Sequence, residues 1–107
     1  LEPRERAAAD YLRGMGASGL GVEAAARTAA VLSTGAEGAI PLKEGYAAAM
    51  AAQNTSYACV EKNIRSMVGK LQAGACGEYQ ALMGGLPAER PSNELFLRRL
   101  ARRILEW

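Results

Sequence analysis

Apolar residues along this chain recur at spacings of three and four, and short stretches rich in Gly, Pro or Asn interrupt the pattern. A first helix is expected from Pro3, a favoured first-turn residue, with Tyr11, Leu12 and Met15 on its apolar face and Gly14 to Gly16 at its end. Gly16 to Gly21 reads as a turn. A second helix runs from about Val22 to Ser33 through Ala25, Ala26, Ala29, Ala30 and Leu32, and Thr34 to Gly38 breaks it. Ile40 precedes Pro41 and is therefore extended. A third helix spans Leu42 to about Gln53. After Asn54-Thr55-Ser56 a fourth runs to about Ala73, with Gly74 as its C-cap. A short helix is expected over Glu78 to Met83, closed by Gly84-Gly85. The last starts at Ser92 or Asn93 and buries Phe96, Leu97, Leu100 and Ile104. Its acidic start (Glu94) and basic end (Arg98, Arg99, Arg102, Arg103) suit the helix dipole.

Composition supports this reading. Of 107 residues, 22 are Ala, and Val plus Ile total 7. Ala favours helices and β-branched residues favour strands, so an all-α domain of about six helices follows. Ala covers little area, so helices must approach closely around a few large anchors. The length suits a single domain, residues 1–107. A chain that starts at Leu1 rather than Met is read as a processed product or excised domain. The charged start is no signal peptide, and no apolar run reaches the roughly 18 residues of a membrane span. A cytoplasmic location is expected, with Cys59 and Cys76 as reduced thiols. The absence of His removes imidazole acid–base catalysis and most zinc sites, and no glycine-rich nucleotide loop occurs. No enzyme activity, metal or cofactor is expected.

Net charge is only +2, but its distribution is uneven. Residues 1–56 hold 5 basic and 6 acidic side chains. The positive excess lies in Lys62, Arg65 and Lys70, and in Arg90, Arg98, Arg99, Arg102 and Arg103. Such an excess is either an electrostatic footprint for phosphate or two solvated helix faces.

The segment from Tyr46 to Leu71 carries the functional signal. Tyr57, Val60, Ile64, Met67, Val68 and Leu71 form one apolar stripe. The opposite face holds Ala58, Glu61, Lys62, Arg65, Ser66 and Gly69, which are small residues, a carboxylate and two cations. A short helix, a tight polar turn and this helix make a helix-turn-helix, whose second helix enters the major groove of duplex DNA. Arg pairs with guanine, Glu accepts from cytosine, and Lys neutralises phosphate.

Two blocks resemble the C-terminal DNA-binding effector domain of the stage-zero sporulation response regulators. One is Tyr46, then Asn54-Thr55-Ser56, then Val60-Glu61-Lys62-x-Ile64-Arg65; the family has Tyr, a short helical run, Asn-Thr-Thr, then Val-Glu-Arg-x-Ile-Arg. The other is Pro91-Ser92-Asn93-x-x-Phe96, similar to the family's Pro-Thr-Asn-x-x-Phe. Gly16 and its turn also fit the join between the first two helices.

The resemblance implies a recognition helix over about Ser56 to Ala73, with Glu61, Lys62 and Arg65 at the DNA. It also implies a receiver domain upstream, homodimers on tandem DNA sites with the last helix near the partner, and contact with an RNA polymerase sigma subunit. Two positions depart from the family. Cys59 replaces a base-reading Arg and Ser66 replaces a His, so the usual promoter box need not be the target. The expected DNA-binding set is Asn54, Thr55, Ser56, Ala58, Cys59, Glu61, Lys62, Arg65 and Ser66. Within it Arg65 is expected at a base and Lys62 at phosphate, while Glu61 either reads cytosine or pairs with Arg65. Asn54, Thr55 and Ser56 serve mainly as turn and cap. The alternative is a helical protein-interaction module derived from such a domain, its DNA recognition decayed or altered.

Overall fold

The computed structural model describes residues 1–107 and contains six helices and no strand: α1 (Pro3–Gly14), α2 (Leu20–Leu32), α3 (Leu42–Gln53), α4 (Tyr57–Gly74), α5 (Gly77–Met83) and α6 (Asn93–Leu105). The all-α expectation therefore holds, with helix ends within two residues of those read from the pattern. The helix starts have identifiable causes. Glu2 and Glu5 cap α1 reciprocally, each carboxylate accepting the other's backbone N–H at 3.0 Å, with Pro3 at the first position. Ser56 Oγ accepts from the Cys59 N–H at 3.2 Å, and Ser92 Oγ from the Leu95 N–H at 3.1 Å.

Three details differ from the sequence reading. α2 begins at Leu20 rather than Val22, because Gly19 takes a glycine-specific conformation (φ 84°) that starts the helix earlier. α4 is terminated by Ala75, not Gly74. Ala75 is left-handed at φ 51°, its N–H donating to Leu71 O at 2.9 Å and its carbonyl accepting from Gln80 Nε2 at 2.8 Å. Those two bonds hold a non-glycine residue where Gly was expected. Tyr57, placed in the apolar stripe, is 50% exposed and lies edge-on to the buried Tyr46, ring centroids 5.1 Å apart.

α2 is the centre of the fold. It packs against α1, α3, α4 and α6, and nine of its 13 residues are buried, which leaves it apolar nearly all round. Its buried residues are mostly Ala, so its neighbours come close. A Cβ on Gly21 would lie 2.5 Å from the Asn63 carbonyl of α4, and one on Gly45 of α3 would lie 2.6 Å from Thr28 Cγ2. At that second crossing Thr28 Oγ1 donates to Gly45 O at 3.3 Å, which satisfies a buried hydroxyl. The large anchors sit around this thin rod: Leu12 from α1, Tyr46 from α3, Val60, Ile64 and Val68 from α4, Tyr79 from α5, and Phe96, Leu97 and Leu100 from α6. One cluster of 25 buried apolar residues joins them.

α5 and the loop that follows are tied to α4 by a relay. Tyr79 Oη donates to Gln72 Oε1 at 2.6 Å, and Gln72 Nε2 donates to Pro87 O at 2.6 Å. Both cysteines are free. No helix is long and apolar enough to cross a membrane.

The crossing of α2 and α4 sets where α4 stands, and it can be tested directly. Gly21→Ala places a methyl against the Asn63 backbone, which cannot rotate away. We expect a loss of about 1–3 kcal/mol, seen as a lower urea midpoint at unchanged slope. An unchanged midpoint would mean that the helices separate at no cost.

Candidate nucleic-acid interface

The connection between α3 and α4 is built by its own three residues. Asn54 is left-handed (φ 51°), and the N–H groups of Asn54 and Thr55 both donate to Met50 O, which closes α3. Ser56 then caps α4. Gln53 Nε2 donates to Leu20 O at 3.1 Å and ties the turn to the start of α2. Asn54 and Ser56 are thus turn and cap, as their residue types suggested, and both lie at the surface beside the start of α4.

α4 buries Val60, Ile64, Met67, Val68 and Leu71. At about 100° per residue, the direction opposite this stripe belongs to Lys62, with Ala58, Ser66, Gly69 and Ala73 around it. Ala58, Lys62, Ser66 and Ala73 are exposed and Gly69 is half-buried. Lys62 is therefore the one long side chain on a face of otherwise small residues. Glu61 and Arg65 lie on one flank and are paired, Arg65 Nη1 donating to both carboxylate oxygens at 2.6 and 2.7 Å. An exposed pair one helical turn apart adds little stability, but it holds the guanidinium in one place. Cys59 and Asn63 lie on the other flank, with Asn63 Nδ2 3.6 Å from Cys59 Sγ. Cys59 is half-buried rather than at the centre of the face. Of the nine expected residues, the structure brings all onto α4 or the turn before it.

The two sequence blocks, 47 residues apart at Tyr46 and Asn93, meet beneath this surface. Asn93 Nδ2 donates to Tyr46 Oη at 3.1 Å and to the Glu61 carbonyl at 3.0 Å. One buried amide thus clips α6 to both α3 and the N-terminal half of α4. Burial pushes the Tyr46 phenol up from its ordinary value of 10.0, with the Asn93 hydrogen bond opposing it and Tyr57, Glu61 and Glu94 adding to it.

Several residues of this surface lie outside the expected set. A cleft of about 360 Å³ separates α4 from the glycine-rich α1–α2 loop, with Ser66 and Lys70 on the α4 side and Gly16, Ser18 and Gly19 on the other. A groove of about 370 Å³ lies on the opposite flank, walled by Tyr57, Glu61, Arg65, Arg90 and Asn93. Arg90 comes from the α5–α6 loop, yet its Cδ lies 3.5 Å from where a Gly69 Cβ would be. No periodicity could assign a loop arginine to α4. Gly69 carried a signal of its own: a glycine inside a helix costs stability, and here a Cβ would meet only that Arg90 carbon, at ordinary contact distance.

Scans against family models, curated proteins and solved structures return no match to this chain.

Two measurements follow from this geometry. Gly69→Ala is expected to raise stability by about 0.5–1 kcal/mol, read as a higher urea midpoint; a loss instead would reveal a packing need at that position. Tyr46 gives a pH dependence. The folded chain holds the phenolic proton to higher pH than the unfolded chain, which releases it near 10.0. The contribution is complete below that pH and is lost as pH rises through the raised folded value. Thermal midpoints should fall above pH 10, less steeply in Tyr46→Phe; identical alkaline profiles would remove Tyr46 as a cause.

Proposed function

We propose that this domain binds duplex DNA in a sequence-selective way, with α3 and α4 acting as a helix-turn-helix and α4 lying in the major groove. One observation carries the reading. The outward face of α4 is a single cation, Lys62, among Ala58, Ser66, Gly69 and Ala73, beside the paired Glu61 and Arg65. Small side chains let a helix about 10–12 Å across settle into a groove about 12 Å wide. In this reading Lys62, central on the face, faces base edges rather than the phosphates expected from sequence. Arg65 reaches guanine from the flank, and Glu61 orients it or accepts from cytosine. Asn54, Thr55 and Ser56 sit at the backbone near the start of α4, while Ser66 on the reading face and Cys59 on its flank supply no bidentate donor. The domain would then serve transcription regulation in the cytoplasm as the effector part of a two-component regulator. A partner copy on tandem sites and a sigma subunit of RNA polymerase would be its protein contacts. The resemblance of the two sequence blocks supports that extension.

One observation favours a second reading, a protein-interaction module with altered DNA recognition. The Arg65 guanidinium is already engaged by Glu61, and a cysteine stands at position 59 where the resembled family has an arginine.

Selection of duplexes from a random pool, followed by fluorescence anisotropy at two salt concentrations, separates the two. We expect a preferred sequence that survives higher salt. Weak binding, equal on all duplexes and lost with salt, would favour the interaction module. On the preferred duplex, Lys62→Ala and Arg65→Ala are each expected to cost roughly 1–3 kcal/mol and to relax one position of the site. A loss equal on every sequence would return that residue to a phosphate role.

A further inference from the structure

The outward face of α4 is bordered on both sides by a cation with no carboxylate partner. None of Lys62, Lys70 and Arg90 takes part in the chain's five ion pairs. Lys70 follows Arg65 by five residues, which rotates it about 140° around the helix. It borders the cleft between α4 and the α1–α2 loop, together with Ser66. Arg90 borders the groove on the Arg65 side. Its Cδ lies 3.5 Å from where a Gly69 Cβ would be, and its one hydrogen bond is a 3.4 Å contact from Nη1 to the neighbouring Pro91 carbonyl. Both side chains are exposed.

Resting on the reading of α4 as a major-groove helix, we propose that Arg90 and Lys70 form a two-sided clamp on the phosphodiester backbones that border that groove. A helix lying in the major groove has one backbone strand along each flank, so the ligand on each side is a phosphate. The two cations occupy the two flanks and leave the small-residue face between them free for the bases. Arg90 reaches α4 beside Gly69, its Cδ at ordinary contact distance (3.5 Å) from where a Cβ would stand. Arg90 is thus an outrigger from another part of the chain, held beside α4 because Asn93, three residues on, fixes the start of α6 against the Glu61 carbonyl. Its guanidinium matches a phosphate oxygen pair and carries no base information from that position. Lys70 supplies a point charge on the other side.

The salt dependence of DNA affinity tests this. Each neutralised phosphate contributes about 0.9 to the slope of log K against log salt. Arg90→Ala and Lys70→Ala should each reduce the slope by about 1, and the double variant by about 2, with equal losses on the preferred duplex and on a scrambled one. Arg90→Lys should restore the slope. Arg102→Ala, an exposed arginine on α6 bordered by α5 and the α2–α3 loop, should leave it unchanged. Circular dichroism on every variant checks that the helices are intact. An unchanged slope in either single variant, with wild-type binding present, overturns the clamp but leaves DNA binding standing. A sequence-selective loss in either variant also overturns it, since that residue would then read bases. A wild-type chain that binds no duplex ends the reading on which the clamp rests, and the clamp with it.

Discussion

The thinness of α2 is the constraint on which the fold depends. A helix buried against four others can carry only side chains that leave room for all of them. Ala supplies helix propensity at minimal volume, and Gly21 removes even a methyl where α4 crosses. The consequence is a core whose bulk sits outside its central element. Most of the large residues come from α1, α3, α4, α5 and α6 and close around α2, which itself adds only Val22, Thr28 and Leu32. Dispersion contacts depend steeply on separation, so one added carbon at the axis disturbs several interfaces together.

This arrangement also determines what α4 can offer to a partner. Its inner stripe is held against α2 at Gly21 and Asn63, and its first turns are held by the Asn93 clip to Tyr46 and the Glu61 carbonyl. The clip lies directly under the paired Glu61 and Arg65. The outer face is therefore presented on a helix fixed at several points along its length, and functional side chains on a rigid element keep their geometry. The connection before it is held as firmly, through Met50 O, the Ser56 cap and the Gln53 tie to α2.

Helix content and order were legible because the apolar spacing and the Gly, Pro and Asn interruptions are strong local signals. The heavy use of Ala announced close packing, and the Glu61–Arg65 pair was one of the two roles that spacing left open for Glu61. Failures came where a tertiary bond overrode a local preference. Ala75 is left-handed because Leu71 O and Gln80 Nε2 hold it, so the glycine beside it was a misleading cue. Tyr57 falls on the apolar side by spacing, yet its ring packs in a T-shape with the buried Tyr46 and keeps half its surface in solvent. The surface around α4 was half legible. Which residues share the outer face of α4 and its preceding turn could be read from spacing, but the placement of Arg90 depends on a loop path that no periodicity encodes. The central direction of Lys62 was available from the helical repeat, once the true centre of the buried stripe was known.

The separation between a crowded axis and an uncluttered outer face bears on how such a domain diverges. Ala58, Lys62, Ser66 and Ala73 touch solvent and bear none of the core, so exchanging them changes the chemistry of the surface at little expense to folding. The residues lining α2 have no such latitude. A chain under substitution would keep its alanine rod and its glycine crossings while the outer face of α4 changes freely.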